Sequence, residues 1–219
     1  MKTKTKNTAL IIVNAVIAVL VPGAWLFMAL RGGGALSAQG LSSLRFFTVL
    51  SNILEGAASL WLVIELIGLM RGRREALSHR VYLLKYVSAS AVAVTFSVVV
   101  FFFVPLTGVR AMYQGANFWY HLIVPVLAMA EFAVLDRFGS LSLWEAFLAP
   151  LPELIYGTGY AVNIIVNGVG EGPDTNDFYG FAANGLPAGF GIFGAILLMS
   201  LLLGLLLRWG NRTGRRNGG

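Results

Sequence analysis

Runs of about 20 apolar residues, parted by short islands of charge, constrain this chain more than any motif it contains. A helix rising about 1.5 Å per residue needs about 20 residues to cross the hydrocarbon of a bilayer. Only a helix satisfies its backbone hydrogen bonds within one such segment. The runs predict spans at about 8–30, 44–70, 82–105, 117–135, 142–166 and 186–208. The expected fold is all-α: a polytopic membrane protein, a bundle of six transmembrane helices forming one domain over residues 1–219. Charged residues make up 12% of the chain, against roughly 25% in soluble domains, and 57% of it is hydrophobic. No connection between the runs is large enough for a second domain.

The net charge of +6 invites a nucleic-acid reading, but Lys and Arg cluster beside the ends of the apolar runs, where they set topology. With the amino terminus inside, Lys2, Lys4, Lys6, Arg71, Arg73, Arg74, Arg80, Lys85, Arg137, Arg208, Arg212, Arg215 and Arg216 fall on the inner side. Only Arg31, Arg45 and Arg110 fall outside. Both termini are therefore expected in the cytoplasm, and the basic residues are assigned to topology, with no nucleic-acid partner. There is no cysteine, which excludes disulfides and thiolate metal sites. "MKTKTKN" followed by an apolar run imitates a signal peptide, but the run exceeds 20 residues and is read as the first span.

The outer connections are a Gly/Ser-rich "RGGGALSAQGLSS" and the longer "GVGEGPDTNDFYGFAANG". Glu171, Asp174 and Asp177 in the latter do not have calcium-loop spacing, so a solvated turn is the simpler reading and no metal or cofactor is expected. In the last run, Gly185, Gly189, Gly191 and Gly194 read as helix-packing positions, and the Leu-rich stretch after them as lipid-facing. His79 reads as a solvated residue of the basic inner loop.

Polar residues within the runs are costly in hydrocarbon and point to function. Thr48, Asn52 and Glu55 lie four and three apart, on one face of the second span. Trp119, His121 and Glu131 sit in the fourth. Glu153, Tyr156, Tyr160, Asn163 and Asn167 form one stripe of the fifth. Thr48 and His121 each lie about 6 Å below the outer start of their span, at a level that Asn163 and Asn167 also reach. A threonine hydroxyl becomes a nucleophile when a base takes its proton, and neutral imidazole can do this. Attack on an ester then calls for oxyanion donors, for which Asn52, Trp119, Tyr160 and Asn163 are candidates. The bland alternatives are a Thr48 hydroxyl bonded back to the Leu44 carbonyl, amides acting as interhelical glue, and an interfacial aromatic belt.

"RFFTVLSN" followed by "NFWYHLIVPVLAMAEF" resembles the androgen-induced and androgen-dependent-factor-like family of six-span membrane proteins and its bacterial relatives. The matching positions are Thr48, Asn52, His121 and Pro125, with "GYAVNIIVNG" and "NDFYGFAANG" extending the likeness toward the carboxy terminus. "FYGF" departs from the Pro-bearing aromatic loop expected there. The resemblance implies an intramembrane threonine hydrolase that cleaves fatty-acid esters of hydroxy fatty acids or related lipid esters, with Thr48 as nucleophile and His121 as base. It implies an integral, multi-pass protein of the bacterial inner (plasma) membrane, taking its substrate from the bilayer. Acyl transfer is compatible with the same intermediate. The oligomeric state stays open. Two other classes compete: a small-molecule or proton-coupled transporter built on Glu55, Glu131 and Glu153, and a membrane adaptor using the basic inner face.

Overall fold

The computed structural model describes residues 2–31, 37–136, 138–171 and 175–216, with side chains of residues 2–4 and 214–216 excepted. Lys2, Lys4, Arg137, Asp174, Arg215 and Arg216, named above, therefore lie outside the described side chains, as do Gly32–Gly34 of the first outer connection. Among the described residues the chain is all helical, and five helices are long and apolar enough to cross a membrane. They are α1 (Lys2–Arg31), α2 (Phe47–Met70), α3 (His79–Thr107), α5 (Ala116–Val134) and α8 (Leu186–Arg216). Short helices α4 (Val109–Tyr113) and α6 (Leu143–Ala146) lie between them, and α7 (Leu151–Asn167) is 17 residues long.

The predicted fifth span, 142–166, is thus divided. Ser142 caps α6 in a reciprocal box with Glu145, and the chain restarts only at Pro150, with Pro152 in the first turn of α7. Proline favours a first turn, where its missing N–H costs nothing. The second span begins at Phe47, after a single 3-10 stretch, Gly40–Arg45.

Two of the long helices change winding along their length. In α3 the segment Val99–Phe103, and in α5 the segment Trp119–Ile123, are π-helical. The cause is local. Pro105 and Pro125 have no N–H to give to the carbonyls of Phe101 and His121, four residues earlier. The Val104 and Val124 N–H groups instead reach back five residues, to the carbonyls of Val99 and Trp119.

Three apolar clusters set the packing. Leu10, Leu62, Leu66 and Val81 meet near the chain's start. Tyr82, Phe132, Leu141 and Leu207 form a second cluster, beside which the Asn211 amide donates to the carbonyls of Phe132 (2.7 Å) and Asp136 (2.5 Å). These contacts bring the starts of α1 and α3 and the ends of α2, α5 and α8 to one end of the bundle. At the other end, Ile17, Met28, Phe46, Tyr120 and Val124 pack together, and the Tyr120 hydroxyl donates to the Val21 carbonyl. α1 and α2 approach closely because residue 56 is glycine: a Cβ there would stand 3.0 Å from Val21.

The glycines of α8 divide differently from their expected packing role. A Cβ on Gly189 would meet the Phe181 carbonyl at 2.8 Å, but Gly191 and Gly194 have nothing nearby. The tightest is Gly204, inside the Leu-rich stretch expected to face lipid, where a Cβ would stand 2.4 Å from Ala149 and 2.6 Å from the Tyr86 hydroxyl.

Candidate functional site

Polar groups inside the bundle fall into two places. The first is a charged network. Lys85, expected as a cation of the second loop, is instead fully buried in α3. Its ammonium pairs with Glu55 Oε1 of α2 and stands 3.2 Å from Glu131 Oε2 of α5. Ser59 and Ser88 also donate to Glu55, at 3.0 and 2.6 Å. The Asn14 amide of α1 donates to Glu131 Oε1 at 3.0 Å. An ammonium without partners in such a place would be prohibitively costly; here α2 and α5 supply them, through Glu55, Ser59 and Glu131. Asp136, just past α5, is buried beside this group, and neither carboxyl oxygen is hydrogen-bonded among the described residues. Burial first, and the neighbouring Glu131 carboxyl next, hold its pKa well above the usual carboxylate range.

The second place is a cavity of about 550 Å³, walled by the start of α2, the C-terminal half of α3, α7, the 179–182 turn and α8. Its lining is overwhelmingly apolar. Phe101, Phe102 and Phe190 in its wall are exposed, so it reaches the flank of the bundle between α3 and α8. Thr48 lines it, and so do Thr95, Glu153, Tyr156 and Tyr160. Of the helices that carry the candidate polar residues, α2 and α7 line the cavity and α5 does not; α3 and α8 complete its wall.

An aromatic frame shapes the cavity's outer part. The Tyr156 hydroxyl donates to the Arg45 carbonyl (2.5 Å), and the Phe47 N–H donates to the Tyr179 hydroxyl (2.9 Å). The Tyr160 hydroxyl donates to Asp177 Oδ1 (2.6 Å) and accepts from the Tyr179 N–H (3.1 Å). Asp177 also accepts from the N–H groups of Phe181 and Ala182, which folds the 177–182 turn over the site. Burial pushes the Tyr179 phenol up to about 12. Arg45 lies over the rings of Phe46 and Phe178, 5.1 and 5.0 Å from their centres.

Thr48 is the second residue of α2. Its hydroxyl makes no hydrogen bond among the described residues, so the back-bond to Leu44 is not formed. In the first turn of a helix the backbone N–H groups lack intrahelical partners, and the dipole there favours negative charge. Here the Phe47 N–H is given to the Tyr179 hydroxyl and those of Val49 and Leu50 to the Phe46 carbonyl, so the N–H of Thr48 itself is the one in this turn left without a partner among the described residues.

His121 lies in the π-helical turn of α5, 1% exposed, and does not line the cavity. Its Nδ1 is 2.7 Å from the Met112 carbonyl, an acceptor only, so Nδ1 carries the proton and Nε2 keeps its lone pair. No hydrogen bond joins His121 to Thr48 among the described residues. Their two turns are nevertheless tied. Asn52 donates its amide to the carbonyl of Thr48 (2.7 Å) and to that of Tyr120 (3.2 Å), the residue before His121. Both amide hydrogens of Asn52 are thereby used, which makes it a positioning residue and not an oxyanion donor.

The remaining candidates serve other ends. The Asn163 amide donates to Asn176 Oδ1 and the Asn167 amide to Asn163 Oδ1, which ties the end of α7 to Asn176. Trp119 is 39% exposed, with its ring edge-on to Phe118. His79 is not a bystander: its Nε2 meets Glu145 Oε1 at 2.5 Å, and that bond, ahead of the Ser142 donors, holds the Glu145 pKa down at about 2. Sequence reasoning missed the contribution of α3 to the cavity. The signal was the run "VVFFFVP", whose proline unwinds the helix and turns several aromatic rings outward.

Family models, curated proteins and solved structures give no match to this chain.

Proposed function

We propose that this protein is an intramembrane hydrolase of lipid esters, with Thr48 as its nucleophile and His121 as its general base. The observation that carries the reading is a threonine hydroxyl, unbonded at the start of a helix, on the wall of an apolar cavity that reaches the flank of the bundle. In the proposed reaction the Thr48 oxygen attacks the ester carbonyl as its proton passes to His121 Nε2. The alcohol leaves with that proton, and water then releases the acyl group from Thr48. The resemblance to the androgen-induced and androgen-dependent-factor-like threonine hydrolases supports the same pair and an ester of a hydroxy fatty acid or a related lipid as substrate.

The setting proposed is a six-span protein of the bacterial inner membrane, with both termini in the cytoplasm. α7, about 25 Å long, is taken as the sixth crossing together with the segment before it. Burial of Lys85 removes one residue from the inner positive count but leaves the asymmetry large. Glu55, held by Lys85, Ser59 and Ser88, is fully buried and is not among the residues lining the 550 Å³ cavity, which supports an enzyme over a proton-coupled carrier.

The test is ester cleavage by purified protein in detergent, together with fluorophosphonate labelling. Thr48→Ala and His121→Ala are each expected to lower turnover by roughly 10² to 10⁴, and labelling is expected to vanish in Thr48→Ala. Turnover that survives both substitutions ends the proposal.

A further inference from the structure

Glu153 is the feature of the cavity that ester hydrolysis leaves unexplained. It lines the wall, is 3% exposed, and neither carboxyl oxygen has a hydrogen-bond partner among the described residues. The Ser200 hydroxyl, likewise buried, is close enough to act on the carboxyl but does not stand in hydrogen-bond geometry to it. Buried polar groups are ordinarily satisfied, and an unpaired buried acid is among the costliest exceptions.

A structural duty is the first explanation to weigh. Glu153 is the third residue of α7, where a glutamate often accepts the N–H of the capping residue. Here the capping residue is Pro150, which has no N–H to give. The capping box, formed a few residues earlier by Ser142 and Glu145, is therefore not available to Glu153. What the first turn does supply is the positive end of the helix dipole, which favours the carboxylate. No Lys, Arg or His is among the residues lining the cavity, so nothing in the wall neutralises that charge.

We infer that the cavity takes long-chain amphiphiles bearing an ammonium group, and that Glu153 is the residue that binds it. The apolar chain lies against the walls of α3 and α8, and the ammonium fills the unpaired position at Glu153 and Ser200. Along α7 that position is one turn, about 5 Å, from Tyr156, whose ring packs 5.2 Å from that of Phe47 beside Thr48. The inference rests on the cavity being an amphiphile site, as proposed above, and is independent of whether Thr48 performs chemistry.

The experiment compares dodecylammonium, dodecanol and dodecanoate as competitors of a fluorescent lipid probe on the full chain in zwitterionic nanodiscs. Wild type is expected to bind dodecylammonium roughly tenfold or more tighter than dodecanol, the size of a charge-assisted contact, with dodecanoate weakest. In Glu153→Gln the advantage is expected to shrink below about twofold. Glu153→Met serves as a second variant should the glutamine protein fail to assemble, and unaltered melting of either verifies the fold. Equal binding of amine and alcohol by wild type, or an amine preference that persists without the carboxylate, overturns the inference. Thr48→Ala separates the two readings. Lost hydrolysis with the amine preference intact leaves this one standing, whereas hydrolysis in a wild-type protein indifferent to the ammonium sinks this one alone.

Discussion

Lys85 and Glu153 are both ionisable groups inside an apolar bundle, and their surroundings are opposite. Lys85 meets two carboxylates and a serine hydroxyl contributed by facing helices, with no space around it. Glu153 faces a cavity of about 550 Å³ and is bonded to nothing in it. Because a buried charge is tolerable only with partners, the first group has its partners in the chain and the second awaits them from outside. A satisfied buried ion therefore marks architecture, whereas an unsatisfied one beside empty space marks a binding site.

The largest effect that would sharpen this contrast is expected from Lys85→Met. Removing the ammonium strands Glu55 and Glu131 and is expected to cost about 3–5 kcal/mol, enough to abolish monodisperse elution from a sizing column in mild detergent. Restoring partial stability with the double variant Lys85→Met, Glu55→Met would confirm that the loss comes from stranded acids, since an apolar replacement of a whole pair is often tolerated. Thr48→Ala, by contrast, is expected to leave the melting temperature within about 1 °C of wild type while removing ester turnover, because its hydroxyl makes no hydrogen bond among the described residues. A melting point that falls as far as that of Lys85→Met would erase the distinction between the two regions.

Filling the cavity should have an intermediate effect. A Cβ on Gly157 would stand 2.1 Å from the Phe193 ring, so Gly157→Ala must displace that ring into the empty space. Overpacking of this kind costs about 1–3 kcal/mol, and the variant is expected to weaken lipid-probe binding more than it lowers the melting temperature.

The smallest effect concerns the exposed His79–Glu145 pair. Glu145 has its folded pKa depressed to about 2 from an ordinary value near 4.5, so its contribution to stability is present above about pH 4.5 and is lost as pH falls toward 2. The melting temperature of Glu145→Gln should therefore sit slightly below that of wild type at pH 6, with the gap closing on acidification. A gap that widens in acid would reverse the sign of this linkage. Asp136 has the opposite shift: its raised folded pKa means that ionisation works against the fold. Asp136→Asn is therefore expected to melt at or above the wild-type temperature near neutral pH.

Span positions were legible because a single physical length governs them, and five of the long helices begin and end within a few residues of the apolar runs, save the added turns at the chain's two ends. The polar face of α2 was legible too, but its three members have different fates: Thr48 reaches the cavity, Asn52 ties α2 to α5, and Glu55 holds Lys85. Periodicity assigns residues to a face and says nothing of what the neighbouring helix brings. Lys85 was misplaced for that reason, since a cation near a helix start reads as a loop residue until two acids from other helices are seen around it. Asn163 and Asn167 share the stripe with Tyr160, yet Asn163 is engaged by Asn176 just beyond the helix and Asn167 by Asn163.

The π-helical turn around His121 also limits how this helix can change. It inserts one residue before Val124, so the two halves of α5 run out of phase by about 100° of rotation. Deleting any single residue from 119–123 would take out the inserted residue and swing the second half through that angle, carrying Glu131 away from Lys85. Helix geometry thus couples the imidazole's turn to the ion pair, and length changes there should be far less tolerated than side-chain substitutions.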